Sequence, residues 1–381
     1  MRVTFVLPPV NLSGGIKVVG IYAKALADKG HEVFVVSPPP SKKSLRSKIK
    51  SFLTGKGWHK TEVAYSHLDN SGLNHKVLNK YRPVTDRDVP EADVIVATWW
   101  ETAEWVAKLS NSKGAKTYFI QGYEIFDFLP VERCKLTYKL PLHKIVVAKW
   151  LADIMRDKYG DDHVDLVHNS VDPKQFFAPV RDKQKVPTVG FLYSRTSLKG
   201  LDITLKVLEN IKRRFPNLRV VSFGSSPWQE DNLWDNQYEF HYSPKQNEIR
   251  NIYGQCDVWM SASRTEGFNL PAMEAMACRT PVVATKTGWP VESIKNGENG
   301  FVVEIDDIDA LEHAVTTVLA AKNEDWKRYS LNAFKTVENS SWEASAALFE
   351  KALMNSIKRN ADSGWRSSFS GVWGGGRIAE G

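Results

Sequence analysis

Twice along this chain, short apolar runs rich in β-branched residues alternate with longer stretches of helical periodicity, and this alternation constrains the fold more than any other feature. The run Arg2 to Leu7 is followed by the turn Ser13-Gly14-Gly15, a helical pattern from Ile16 to Lys29 and a second run, Val33 to Val36. These form one βαβ unit, with Gly30 where a left-handed residue closes a helix and Pro38 to Pro40 stopping the second strand. Further runs lie at Val94 to Thr98, Thr117 to Ile120, Lys144 to Val147 and Asp165 to Val167, with a helix expected over Ala148 to Tyr159. The second alternation sets strands at Thr188 to Leu192, Arg219 to Phe223, Val258 to Ser261 and Pro281 to Ala284. Helices fall between them at Gly200 to Arg214, Lys245 to Tyr253 and Pro271 to Cys278. The predicted class is α/β, with two Rossmann-like domains whose parallel sheets are covered on both faces.

A chain of 381 residues fits two domains better than one. We place them at 1–180 and 181–340, joined through the proline-containing segment Asp172 to Pro187. A helix over 341–358 is expected to pack back toward the N-terminal domain, with Leu348, Phe349, Ala352 and Leu353 on one apolar face. Residues 359–381 end in a Gly- and Ser-rich stretch that reads as a disordered tail or an expression remnant. No stretch approaches the ~20 apolar residues of a membrane span, and Met1 to Pro9 reads as a first strand rather than a leader. Three widely spaced cysteines, Cys134, Cys256 and Cys278, give neither a disulfide framework nor a paired-cysteine zinc site and suit a reducing cytoplasm. The net charge of +7 favours anionic partners without choosing among nucleotide, nucleic acid and lipid.

The densest chemistry lies in Ser263-Arg-Thr-Glu-Gly-Phe-Asn-Leu-Pro-Ala-Met-Glu274. Pro271 suits a first helical turn, so the backbone amides from Gly267 through Phe268, Asn269 and Leu270 can face an anion at the positive end of the helix dipole. Glu274, placed in that first turn, can accept from a ribose diol, and Glu266 can face a sugar; the alternatives are a helix cap and a solvated loop residue.

These residues, with Glu274 to Ala277, Thr280 to Ala284, Gly297, Asn299 to Phe301, Asn169 to Asp172, Arg195 and Lys199-Gly200, resemble the signature of family-four (group 1) retaining glycosyltransferases. The resemblance covers nearly the whole chain except roughly residues 40 to 90 and the tail. It implies the GT-B fold, in which two Rossmann-like domains face across a cleft that binds a nucleotide-diphosphate sugar. It also implies that Arg195 and Lys199 hold the donor diphosphate in place of a metal, with Glu266 beside them as a catalytic residue. Charge-assisted donors at those positions would stabilise the charge that develops on a departing phosphate. The donor set is then Gly14, Gly15, Arg195, Lys199, Gly267, Phe268, Asn269, Leu270 and Glu274, with no cofactor beyond the donor substrate. The Gly14-Gly15 turn would turn its amides toward donor phosphates or acceptor, although such turns also serve tight packing.

The sequence departs from the family at Gln121-Gly-Tyr-Glu124, where many relatives carry a His-Asp pair, and at Ser170 and Arg279, where glycine is usual. Gln121 and Glu124 are candidate acceptor-binding residues, in a pattern similar to rhamnosyltransferase-like members; a turn capped by Glu124 is the alternative. The acidic pairs Asp86 and Asp88, and Asp307 and Asp309, lack the strand context of a metal site.

From Ser41 to Thr61 the chain carries Lys or Arg at 42, 43, 46, 48, 50, 56 and 60 and no acid, with Leu45, Ile49, Phe52 and Leu53 on one helical face. Residues 42–56 could lie on an anionic membrane surface, making the enzyme peripheral at the inner face of the cytoplasmic membrane and its acceptor a lipid-linked glycan, or could pack on their own domain. The expected role is sugar transfer to a glycan or lipid-linked acceptor in cell-surface polysaccharide or lipopolysaccharide assembly. A same-fold epimerase or phosphorylase is the alternative. A nucleic-acid-binding role is disfavoured because the basic residues cluster instead of forming a stripe, and tryptophans such as Trp99, Trp100 and Trp259 sit in or beside apolar runs.

Overall fold

The computed structural model describes residues 1–40, 66–229 and 238–362. The basic segment 41–61 and the stretch from 363 onward lie outside the described residues. The chain divides into two units, one built from Met1–Val146, Leu151–Val167 and the residues from Ala346, the other from Val147–Trp150 and His168–Ser345.

In the first unit the strands are β1 (Arg2–Val6), β2 (Glu32–Ser37), β3 (Asn74–Val77), β4 (Val94–Ala97), β5 (Ala115–Ile120), β6 (His143–Val146) and β7 (Asp165–Leu166). All pair in parallel, in the order β3-β2-β1-β4-β5-β6-β7. β4 and β6 are buried along their whole length, as expected where helices cover both faces of a sheet. These helices include α1 (Gly14–Asp28), α2 (Trp100–Lys108), α3 (Val131–Thr137) and α4 (Lys149–Tyr159).

The second unit has β8 (Thr188–Leu192), β9 (Arg219–Gly224), β10 (Tyr238–Tyr242), β11 (Val258–Ser261), β12 (Val282–Thr285) and β13 (Gly300–Val303) in the parallel order β10-β9-β8-β11-β12-β13. Its helices are α5 (Leu201–Arg214), α6 (Ile249–Gly254), α7 (Leu270–Ala277), the single turn α8 (Pro290–Ser293), α9 (Ile308–Ala320) and α10 (Asn323–Val337). Val207, Leu208 and Ile211 of α5 pack with Leu311, Val315 and Val318 of α9 over Val189, Phe191, Val258 and Met260. α6 starts later than the Lys245 expected, because the Glu248 carboxylate accepts from the Lys245 amide and closes a separate turn.

The last helix, α11 (Trp342–Ala361), joins the first unit from Ala346 onward. Phe349 lies parallel to the Tyr22 ring at 4.5 Å, edge-on to Phe119 at 5.0 Å and stacked with Phe5 at 6.2 Å. Its buried face is Ala346, Phe349, Ala352, Leu353 and Ser356, at the spacing that places side chains on one side of a helix. Leu348, expected on that face, is half exposed, because one residue's advance rotates a helical side chain by about 100°. Polar contacts lock the same helix: Glu350 holds Lys29 and His31, and Ser356 meets Thr117 at 2.7 Å.

Candidate active site

In open parallel sheets, ligands bind beyond the carboxyl ends of the strands where the strand order reverses. In the second unit that reversal falls between β8 and β11, and the loops after these two strands carry Arg195, Lys199 and Glu266. Lys199 ends a single 3-10 turn, Ser197–Lys199, and Gly200 follows at φ 60° as the residue before α5. A Cβ at Gly200 would fall 2.0 Å from the carbonyl oxygen of Ala262, so only glycine brings the Lys199 turn this close to the loop after β11. Arg264 ties the loops together by donating to the Ser197 carbonyl (2.9 Å) and, through both terminal nitrogens, to the Asp202 carboxylate.

Across that junction the Lys199 ammonium meets Glu266 Oε1 at 2.6 Å, and the Ser263 hydroxyl donates to the same oxygen at 2.8 Å. The Glu266 amide donates to Thr287 Oγ1 (2.8 Å), fixing the loop from the other side. Lys199, Ser261, Ser263, Glu266, Asn269 and Pro271 line one cavity whose apolar floor includes Phe191, Trp259 and Met260. A lysine and a carboxylate beside a helix N-terminus can hold an anion and a hydroxyl side by side. Arg195, expected on the diphosphate with Lys199, is exposed in the loop after β8 and donates to the Gln229 side chain.

Asn269 precedes α7 at φ 78°, and its side-chain oxygen accepts from the Ala272 amide, so asparagine caps this helix. Leu270 is the first helical residue. Phe268 is buried and stacks on Trp289, while the Gly267 carbonyl accepts from the Trp150 indole at 3.0 Å. Glu274 departs from expectation. α7 begins at Leu270, which puts Glu274 in the second turn, buried, with Oε2 accepting from the Tyr253 hydroxyl at 2.9 Å.

In the first unit, Gly14 and Gly15 open α1, and a Cβ on Gly15 would sit 3.5 Å from the Gln121 amide nitrogen, so these two candidates do meet. Glu124 does not face solvent as an acceptor ligand would. It is buried, its Oε2 accepts from the Trp100 amide (2.8 Å) and the Tyr118 hydroxyl (3.2 Å), and burial pushes its carboxyl up to about 8. It caps the first turn of α2. The acidic pairs have local uses: Asp88 binds Arg82 at 2.6 and 2.7 Å, Asp86 accepts from the Ser110 amide, and Asp307 caps α9.

Ser263 and Thr287 were not singled out from sequence, although Ser263 stands only three residues before Glu266, close enough for its hydroxyl to reach forward to that carboxylate. Thr287 is distant in sequence and carried no such signal.

Two parallel α/β units, with a lysine–carboxylate cavity at the switch point of the second, give the chain the GT-B fold. Residues 173–336, less than half of the chain, match the model described as glycosyl transferases group 1. HepE of Anabaena, solved in complex with UDP-glucose, superposes with a TM-score of 0.69 over 93% of this chain and 100% of its own, at 15% identity. The GDP-mannose-dependent α-(1-6)-phosphatidylinositol monomannoside mannosyltransferase of Mycolicibacterium smegmatis is 29% identical over 148 residues, 35% of this chain and 39% of that protein. The lipopolysaccharide core mannosyltransferase LpcC of Rhizobium leguminosarum is 41% identical over 73 residues, 19% of this chain and 21% of that protein. The chain thus matches less than half the length of each of these two curated relatives. Among the described residues no helix is long and apolar enough to cross a membrane.

Proposed function

We propose that this chain transfers a sugar, with retention and without a metal, from a nucleotide-diphosphate donor to a glycan or lipid-linked acceptor in cell-surface polysaccharide or lipopolysaccharide assembly. The observation that carries the reading is the Lys199–Glu266 pair, 2.6 Å apart, in the cavity at the switch point of the second unit. The relatives' named acceptors, a phosphatidylinositol mannoside and a lipopolysaccharide core, support the acceptor class. Arg195, in the loop after β8, would join Lys199 on the diphosphate once released from Gln229. The Gly14-Gly15 turn would face the donor phosphates or the acceptor, and Gln121 would serve the acceptor side.

In the proposed reaction the bond from the anomeric carbon to the phosphate oxygen breaks and its electron pair stays on the diphosphate, where Lys199 stabilises it. The acceptor hydroxyl bonds to the anomeric carbon on the same face, and its proton passes to the departing phosphate oxygen. Retention and family-four membership come from the sequence resemblance. The basic segment 42–56, beyond the described residues, would hold the enzyme at an anionic membrane surface on the cytoplasmic side.

Thermal shift with UDP-glucose, GDP-mannose and ADP-glucose tests the reading. A donor that binds the folded state raises its melting temperature with the logarithm of concentration above Kd. Release of the nucleoside diphosphate should then accompany acceptor modification. Absence of any shift overturns the reading, and release of free sugar phosphate or an altered nucleotide sugar without acceptor selects a phosphorylase or epimerase instead.

A further inference from the structure

Taking the nucleotide-sugar reading as its basis, we infer that Ser263 is a positioning residue that assigns the two oxygens of Glu266 different tasks, Oε1 to Lys199 and Oε2 to a hydroxyl of the transferred sugar.

Oε1 is saturated by the Lys199 ammonium (2.6 Å) and the Ser263 hydroxyl (2.8 Å). Among the described residues none donates to Oε2. A carboxylate held by lysine alone could swing both oxygens onto the ammonium, because a lysine offers three donors on a flexible stem. The second donor stops that rotation. Ser263 can do this because it is itself fixed: it is buried, and its carbonyl accepts from the Thr285 hydroxyl at 2.5 Å.

A chain of polar groups also sets the direction of its proton. The Ala272 amide donates to Asn269 Oδ1, which leaves the Asn269 amino group to donate to Ser261 Oγ at 3.0 Å. Ser261 Oγ lies 3.5 Å from Ser263 Oγ, and an ionised carboxylate can only accept, so Ser263 gives its proton to Glu266. The line from the cap of α7 to Lys199 therefore ends in one oriented acceptor. Ser261, Ser263, Glu266 and Asn269 all line the same cavity.

The test compares wild type with Ser263→Ala and Ser263→Thr, using UDP-glucose and GDP-mannose as donors and UDP and GDP as binding probes. Ser263→Ala should leave the Kd of UDP or GDP within about 2-fold while lowering kcat roughly 10-fold, the loss expected for one hydrogen bond to a charged group. Ser263→Thr, which keeps the hydroxyl, should restore most of the turnover. Equal turnover in wild type and Ser263→Ala, or a threonine variant as poor as the alanine one, overturns the inference. A crystal structure of Ser263→Ala reads the same point without a donor: both oxygens of Glu266 should turn toward Lys199, and an unmoved carboxylate overturns it. Failure of the wild type to bind any nucleotide or nucleotide sugar counts against the functional reading instead, and the crystallographic result still decides the role of Ser263.

Discussion

The Cβ that any other residue would bring to position 200 falls 2.0 Å from the carbonyl oxygen of Ala262. Gly200→Ala must therefore push the Lys199 turn off the loop after β11, in addition to the cost of about 1 kcal/mol or more for a left-handed alanine. We expect a melting temperature lower by several degrees, and loss of pyrophosphate binding measured by calorimetry even below that temperature. Unchanged binding would mean that the turn is not what places Lys199.

Removing the cation itself has a different signature. Lys199→Ala should keep the fold, since its 3-10 turn rests on backbone bonds and Arg264, and should lower turnover by ~10² to 10³, the usual loss for one transition-state donor. Glu266→Gln removes a negative charge beside the expected diphosphate. It should tighten pyrophosphate binding about 3-fold at low salt while turnover falls. Opposite movements of affinity and turnover in one variant are the mark of a carboxylate shared between lysine and sugar.

Glu124 predicts a pH dependence of stability. Burial raises its carboxyl to about 8 in the folded chain, above the ordinary glutamate value expected in the unfolded chain. The sign follows: the unfolded chain gives up this proton first, so the contribution is full below about pH 4.5 and fades as pH rises to about 8. Melting temperatures measured from pH 5 to 9 should fall across this window more steeply in wild type than in Glu124→Gln, which keeps an acceptor for the Trp100 amide and cannot ionise. Parallel curves would show that Glu124 is ionised throughout.

Arg279 occupies a left-handed position, φ 60°, just after α7. Its guanidinium lies 4.0 Å over the Phe334 ring and donates to the Ala178 carbonyl at 3.2 Å. Arg279→Gly exchanges that stacking, about 0.5 to 1 kcal/mol, for relief of a strain of about 1 kcal/mol, and should leave stability nearly unchanged. Arg279→Ala loses the contact and keeps the strain, so it should unfold at lower urea concentration than either.

The two parallel sheets were legible because their central strands are uninterrupted apolar runs, such as Val94 to Ala97 and Val258 to Met260. The edge strands β3 and β10 were not: Asn-His-Lys-Val and Tyr-Glu-Phe-His-Tyr are polar or mixed because one side of each meets solvent. At the site, Lys199 and Glu266 were visible as motif residues, 67 positions apart and joined only by the fold. Glu274 and Glu124 lie deeper than their sequence positions suggested, because a sequence displays a carboxylate without displaying the tyrosine hydroxyl that donates to it, here that of Tyr253 for one and Tyr118 for the other.

Phe349 closes the space between Phe5, Tyr22 and Phe119, and that has a consequence for biosynthesis. Protein chains emerge from the ribosome amino terminus first. The unit that begins to emerge first therefore lacks its central aromatic ring until α11 has been made, whereas every residue of the other unit is already out by Ser345. The later-encoded sheet can settle first, and the amino-terminal one must wait, partly assembled, until α11 has been translated.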